Sequence, residues 1–366
     1  MWSTIKKFGL SHCDLPTMLE NVSFFLSVLT IDIMKGNNKR MPVIVHLLAL
    51  FMFICYFYVY LFSVVWFVFV RCRETGDLIA AIVVFSLGIA SEIGICKLIY
   101  MFIHMKSIKV LVEGYLRCDA KVTPGDRFHK NLLKSLRNVK RRALIYWTVI
   151  IGNGVAYIFR PIMMPGRHFM EDSHVIYGLE PKFETPYYEI AMTMTAAGIC
   201  VCCYLPSNIT AFFIVLGGYT ESQMLALSEE LSSLFDDAKT FCHEISNENH
   251  DAKQLMDEFI KNRLKDIILR HTENLNLLRK IDKVAMDCFN GQRLLNAGYA
   301  FEQAVYDCKW ENFNNKNMRT VLLMLQTAQR PLSLSAGGVT VLSFSCLMSV
   351  LRSIYSAYTT LRTTMK

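Results

Sequence analysis

The sequence predicts an all-α membrane protein, and three observations predict it. Hydrophobic residues make up 53% of the chain and charged ones 19%, a balance too apolar for a water-soluble protein of this length. The apolar residues come in runs. Residues 41–70 contain no Asp, Glu, Lys or Arg, and about 20 helical residues cross ~30 Å of hydrocarbon. The segments between such runs differ sharply in charge, which is what sets the orientation of a membrane protein.

The elements follow in order. Residues 1–10 mix Lys6 and Lys7 with polar groups and hold no signal-peptide apolar region. Residues 1–41 form an amphipathic segment ending in Lys35, Lys39 and Arg40, suited to the inner membrane surface. Span 1 covers residues 42–70 and span 2 residues 78–102, with Glu92 and Lys97 inside span 2. The linker 106–142 is strongly basic, from Lys106 and Lys109 to Arg141 and Arg142, against only Glu113, Asp119 and Asp126. Loop Lys and Arg stay on the cytoplasmic side, so this linker fixes the topology. Its position between two spans argues against nucleic acid as its partner.

Span 3 covers residues 143–162. The loop that follows is acidic through Glu171, Asp172, Glu180 and Glu184 and rich in Pro and aromatics. It is expected outside, ordered, and able to cap a pocket. Span 4 covers residues 187–216, with Pro206 as a helix kink. The chain then turns polar. Residues 219–241 and 253–286 are helical by period, and Leu264, Ile268, His271, Leu275, Leu278 and Ala285 recur at spacings of three, four and seven. That pattern is a packing seam, with His271 a structural histidine on it.

The final apolar run, 331–361, is rich in Ser, Thr and Gly. Hydroxyls in a membrane helix face other helices or water, so this helix either lines something wet or bonds its hydroxyls back to its own backbone. Counting sides from the basic linker puts the N-terminus inside and the C-terminus outside.

Three motifs in the last third carry a resemblance. Cys288-Phe289-Asn290-Gly291-Gln292-Arg293-Leu294 fits a Cys-x-x-Gly-x-x-Leu pattern. Ala304-Val305-Tyr306-Asp307-Cys308-Lys309-Trp310 fits Ala-x-Tyr-x-x-x-Trp. The tail opens on Arg330-Pro331-Leu332 and Ser335-Ala336-Gly337 and ends on Tyr355-Ser356-Ala357-Tyr358-Thr359-Thr360-Leu361. In this order and spacing they resemble the insect odorant receptors, with Gly338 departing from a Lys frequent in the family. The resemblance covers nearly the whole chain. It implies an odorant receptor-like helical bundle of inverted topology with a cytoplasmic helical anchor: residues 42–218 as the ligand-binding bundle, 219–330 as the anchor, and 331–366 as a pore-lining helix with a short outer tail. It also implies a discrepancy. The family has two further spans where here Asp287 is followed at once by Cys288. Losing a hairpin preserves inside–outside parity.

The function so implied is a tuning subunit of an odorant-gated, non-selective cation channel, assembled as a hetero-tetramer with a shared co-receptor. Its ligand would be a small volatile organic molecule, its surroundings membrane lipid, its location the plasma membrane of a sensory neuron dendrite. No cofactor and no enzymatic activity are implied. The resemblance places the odorant pocket between spans 2, 3 and 4, at Phe85, Ile89, Gly154, Tyr157, Met192 and Ala196, and the pore at Ser356, Thr360, Thr363 and Thr364. Two other classes stay open: a non-conducting truncated form that only binds partner subunits, and a multi-pass transporter, which would show internal repeat symmetry.

The residues exclude other chemistry. There is no Gly-rich phosphate loop, no His-Glu-x-x-His and no Gly-x-Ser-x-Gly. The 12 Cys show no metal spacing and predict no structural disulfide, with Cys72 the one to watch. The glycosylation patterns at Asn21 and Asn208 fall on the cytoplasmic side and inside span 4, so neither is expected to be used. Glu92 is the sharpest single residue. A carboxylate within a span is costly and faces a partner or a cavity, so it serves either a structural bond or the pocket. Lys97, five residues on, is off the favoured helical spacing and is expected to snorkel to the interface.

Overall fold

The computed structural model describes residues 6–34, 41–245, 252–282, 291–330, 332–336 and 340–364. Over these the chain is helical: α1 (Leu15–Val28), α2 (Val43–Thr75), α3 (Leu78–Ile103), α4 (Met105–Asp119), α5 (Arg127–Met163), α6 (Tyr187–Ile245), α7 (Ala252–Asp282), α8 (Gly291–Tyr306), α9 (Asn315–Ala328) and α10 (Phe344–Thr364). Before α10, β1 (Ser335–Ala336) pairs antiparallel with β2 (Thr340–Val341), Ser335 opposite Val341.

Local chemistry sets the ends. The Asp14 carboxylate accepts the Thr17 N–H at 3.0 Å and its hydroxyl at 2.7 Å, opening α1. Helix α2 closes on Gly76, left-handed at φ 71°, whose N–H returns to the Cys72 carbonyl. The next residue, Asp77, accepts the Ala80 N–H and starts α3. Asn314 does the same for α9 through Asn317. Helix α2 also holds two widened π-type turns, Phe57–Phe62 and Phe67–Arg71.

Helices α2, α3, α5 and α6 are long and apolar enough to cross a membrane. Large apolar side chains stay exposed along α2, α3 and α5, Val43, Leu47, Ile79, Ile99, Val149 and Phe159 among them, which is tolerable only where lipid, not water, is the solvent. Expected spans 1 and 2 agree with α2 and α3 to within a turn or two. Expected span 3 is the second half of α5, whose first half carries the basic residues. The expected fourth span and the polar helix expected after it are one continuous helix, α6, which runs on to Ile245. A Cβ on Gly218 would sit 2.3 Å from Val139 Cγ1, so this glycine lets α5 approach rather than ending a helix.

The chain forms two compact units, Leu19–Lys109 with Arg142–Phe212, and Met1–Met18 with Val110–Arg141 and Phe213–Lys366. In the first, Tyr56, Val59, Tyr60, Val64 and Val84 are buried. Trp147 Nε1 donates to Asn208 Oδ1 at 3.1 Å, and Phe25 stacks on Trp147. Asn21 and Asn208 are both buried.

In the second, Glu230 is the hub. Its side chain is 5% exposed and takes both prongs of Arg127, at 2.9 and 3.1 Å, as well as Arg263. Arg127 reaches on to Asp237. The buried seam of α7 is Ile260, Leu264, Ile267, His271, Asn274, Leu277, Leu278 and Ile281. The expected seam is right at Leu264, His271 and Leu278 but one residue out elsewhere: Ile268 and Leu275 are only half-buried, and Ala285 lies outside the described residues. His271 stacks on Phe301 at 4.4 Å and 11°, and burial pulls its pKa down to about 4. Lys140, 4% exposed, donates to the carbonyls of Lys7, Gly9 and His12.

Candidate functional site

Within the first unit a cavity of about 20 Å³ lies under the 164–186 loop, room for little more than one water. Tyr60 comes from α2, Leu87 from α3, Tyr157 from α5, and Ala191 and Thr195 from α6. The loop supplies the rest of the wall, from Phe169 to Lys182.

The loop is held by its own aromatics and by α2. Phe169 packs on Phe183 and Tyr188, and Tyr177 meets Phe62 and Trp66 edge-on. Tyr58 Oη donates to the Tyr177 carbonyl at 2.9 Å, and Arg71 pairs with Glu180 at 2.9 Å. Asp172 turns the loop by accepting the Phe169 N–H at 2.8 Å and facing His168. Burial opposes its charge, but these partners outweigh burial and hold the carboxyl below the usual carboxylate range. Lys182 lies over the Phe183 ring at 4.8 Å, and burial lowers its pKa.

His174 is the polar residue set deepest here. It is 8% exposed, its ring stands edge-on to Phe67 at 5.8 Å, and Nε2 has no hydrogen-bond partner among the described residues. Burial, helped by the nearby Lys182 charge, brings its pKa to about 4, so the ring is neutral at pH 7.

The expected pocket residues divide. Tyr157 lines this cavity. Met192 and Ala196 are half-buried on α6 beside the lining residues Ala191 and Thr195. Gly154 is buried at a helix contact, where a Cβ would meet Cys203 Sγ at 2.6 Å. Phe85 and Ile89 sit on the exposed face of α3, at 46% and 56% exposure. Glu92 accepts from Tyr56 Oη at 2.9 Å, the same hydroxyl lying 3.3 Å from the Ser91 carbonyl; of its two expected roles, the structural bond is the one present in the fold. Lys97 does not reach out to an interface. It is buried and donates to Thr210 Oγ1 at 3.0 Å, because a hydroxyl on the neighbouring helix lies within its reach. Of the expected pore residues, Ser356 is exposed on α10 and its carbonyl accepts from Thr359 Oγ1. The side chains of Thr360, Thr363 and Thr364 lie outside the described residues. Cys72 is a buried free thiol.

A second cavity, about 240 Å³, lies in the other unit between Arg127, Glu230, Asp237, Arg263 and Asp266. Its walls are mostly charged side chains, with Phe128, Leu227 and Ile267 between them, whereas a small-molecule site is mostly apolar with a few polar groups. The residues missed from sequence are those of the loop: Glu171, His174 and Lys182. They lie in a loop dense in aromatics that also holds a second histidine, His168.

The motif residues meet around the start of α10. A Cβ on Gly291 would lie 1.7 Å from the Leu342 carbonyl oxygen, and one on Gly298 would lie 2.9 Å from Leu332 Cδ1. Asp282 accepts from Ser335, and Gln292 Oε1 from the Phe344 N–H at 3.2 Å.

Comparison with known proteins agrees with this arrangement. A family model described as 7tm Odorant receptor matches residues 77–286 and 283–355. The structure of the insect olfactory receptor OR5 from Machilis hrabei superposes with a TM-score of 0.62 at 12% identity, covering 95% of this chain and 98% of that one. The same receptor in complex with eugenol gives 0.59 at 13% identity, covering 95% and 99%. No curated protein matches by sequence.

Proposed function

Because this chain belongs to the 7tm odorant receptor family, and so is a membrane receptor and not an enzyme, we propose that it is the ligand-tuned subunit of an odorant-gated cation channel assembled with a shared co-receptor. The observation that carries this reading is the family match itself, which takes in the Cys-x-x-Gly-x-x-Leu and Ala-x-Tyr-x-x-x-Trp motifs and the opening of the tail and ends at residue 355. In this reading the N-terminus and residues 219–330 are cytoplasmic, the 164–186 loop is external, and α10 lines a non-selective pore at Ser356, Thr360, Thr363 and Thr364. A small volatile binds among α3, α5 and α6 beneath the loop; the relative in complex with eugenol supports a ligand of that size. Binding shifts the population towards an open pore, in a hetero-tetramer at the dendrite of a sensory neuron.

The test is odorant-evoked current in cells expressing this chain with and without the co-receptor. Current only with the co-receptor is the expected result; its absence across a broad panel would sink the channel reading.

A second reading has one observation of its own. The family match falls into two stretches that meet at residues 283–286, next to Asp287–Cys288, where two spans are missing from the expected pattern. That junction lies outside the described residues. A non-conducting truncated form that only binds partner subunits would be silent as written and conduct once the hairpin is restored.

A further inference from the structure

The geometry assigns His174 a role as the hydrogen-bonding anchor of the cavity and points to small neutral alcohols as the ligand class this chain prefers. The inference rests on reading that cavity as the ligand site. Three observations carry it.

First, His174 Nε2 is buried with no hydrogen-bond partner among the described residues. A buried nitrogen left so costs free energy that a ligand atom would recover. The ring is held edge-on by Phe67, so it meets a ligand already oriented.

Second, the cavity selects against charge of either sign. Glu171 and Lys182 both line it. A carboxylate that pairs with Lys182 would also face Glu171, and an ammonium that pairs with Glu171 would also face Lys182, so neither gains a net charge complement. Leu87, Ala191 and the rings of Tyr60 and Tyr157 add apolar surface, with uncharged hydroxyls from the two tyrosines and Thr195, and desolvating an ion against such a wall is costly.

Third, a hydroxyl fits whichever tautomer the neutral imidazole adopts. If Nε2 carries the proton it donates to the ligand oxygen; if not, it accepts from the ligand O–H. A carbonyl satisfies only the first and a hydrocarbon neither. The cavity of about 20 Å³ admits the polar head as it stands. The apolar body must part Leu87, Tyr157 and Ala191 to enter. A site that hydrogen-bonds a hydroxyl discriminates strongly against the analogue lacking it.

The experiment measures the ligand-induced shift in unfolding temperature of the purified full chain in detergent. The probes are primary alcohols of six to ten carbons, each paired with the alkane of the same length. The wild type should bind each alcohol about tenfold tighter than its alkane, the size of one neutral hydrogen bond. His174→Phe, which keeps a ring against Phe67, should bring the alcohol down to the alkane's level; His174→Asn should retain part of the preference. The wild-type ratio needs no variant to fold. A preference that survives in His174→Phe, equal binding of alcohol and alkane, or no binding of either would overturn the proposal. Alcohol binding through His174 without current in the presence of the co-receptor would uphold it and sink the channel reading instead.

Discussion

The Asp282 carboxylate accepts both the Ser335 N–H, at 2.6 Å, and the Ser335 hydroxyl, at 3.1 Å. It thereby joins the last residue of α7 to the strand that leads into the final helix. Asp282→Ala leaves that N–H without its acceptor and should cost about 1–3 kcal/mol. Ser335→Ala removes only the hydroxyl and should cost less. Denaturant melts of the two variants check the order.

Gly291 meets the Leu342 carbonyl so closely that no Cβ fits. The obstacle is backbone, which cannot rotate away. Gly291→Ala should therefore abolish folded, surface-expressed protein. Gly152→Ala, where a Cβ meets nothing within 4 Å, should be neutral or stabilising by about 0.5–1 kcal/mol. Surface labelling of both variants separates the cases.

His271 gives the fold an acid limit. Its pKa is about 4 in the folded chain and about 6.5 when unfolded. Above pH 6.5 the ring is neutral in both states and contributes no slope. Between pH 6.5 and 4 the unfolded chain binds the extra proton, so stability falls as pH falls. The loss reaches at most about 3 kcal/mol. His271→Phe, stacked on Phe301 like the native ring, should flatten that slope in thermal melts taken at pH 7.5, 6 and 5.

Buried Tyr56 and half-buried Glu92 form a hydrogen-bonded couple within the first unit. Tyr56→Phe strips the carboxylate of its donor and should cost about 1–3 kcal/mol. Glu92→Gln keeps an acceptor and should cost less. A double-mutant cycle between them should show a coupling of at least ~0.5 kcal/mol; additivity would mean the bond is idle.

Much of this was legible in the sequence, for a reason that also marks where legibility stopped. Hydropathy reports where lipid is, so α2 and α3 were found to within a turn or two. It does not report where helix is, so the basic first half of α5 and the polar second half of α6 read as separate segments. Within a span it fails again. Lipid is as apolar as the packed interior, so residue types alone do not tell that Phe85 and Ile89 are exposed on α3 while Tyr157 lines the cavity. The seam of α7 slipped by one at Ile268 and Leu275 because Ile267 and Asn274 stand beside them, and Asn274 is a polar residue buried against pattern. His174 was passed over because a loop has no period to set one residue apart.

Lys140 separates two properties that sequence reading merges. As one basic residue among many in the linker, it counts towards orientation, and any cation would count the same. Its ammonium also points at three backbone carbonyls, of Lys7, Gly9 and His12, a tripod that a planar guanidinium does not match. Exchange for arginine would thus leave the positive charge untouched while unfastening residues 7–12. At this position, the two basic amino acids are equivalent to the membrane and distinct to the fold.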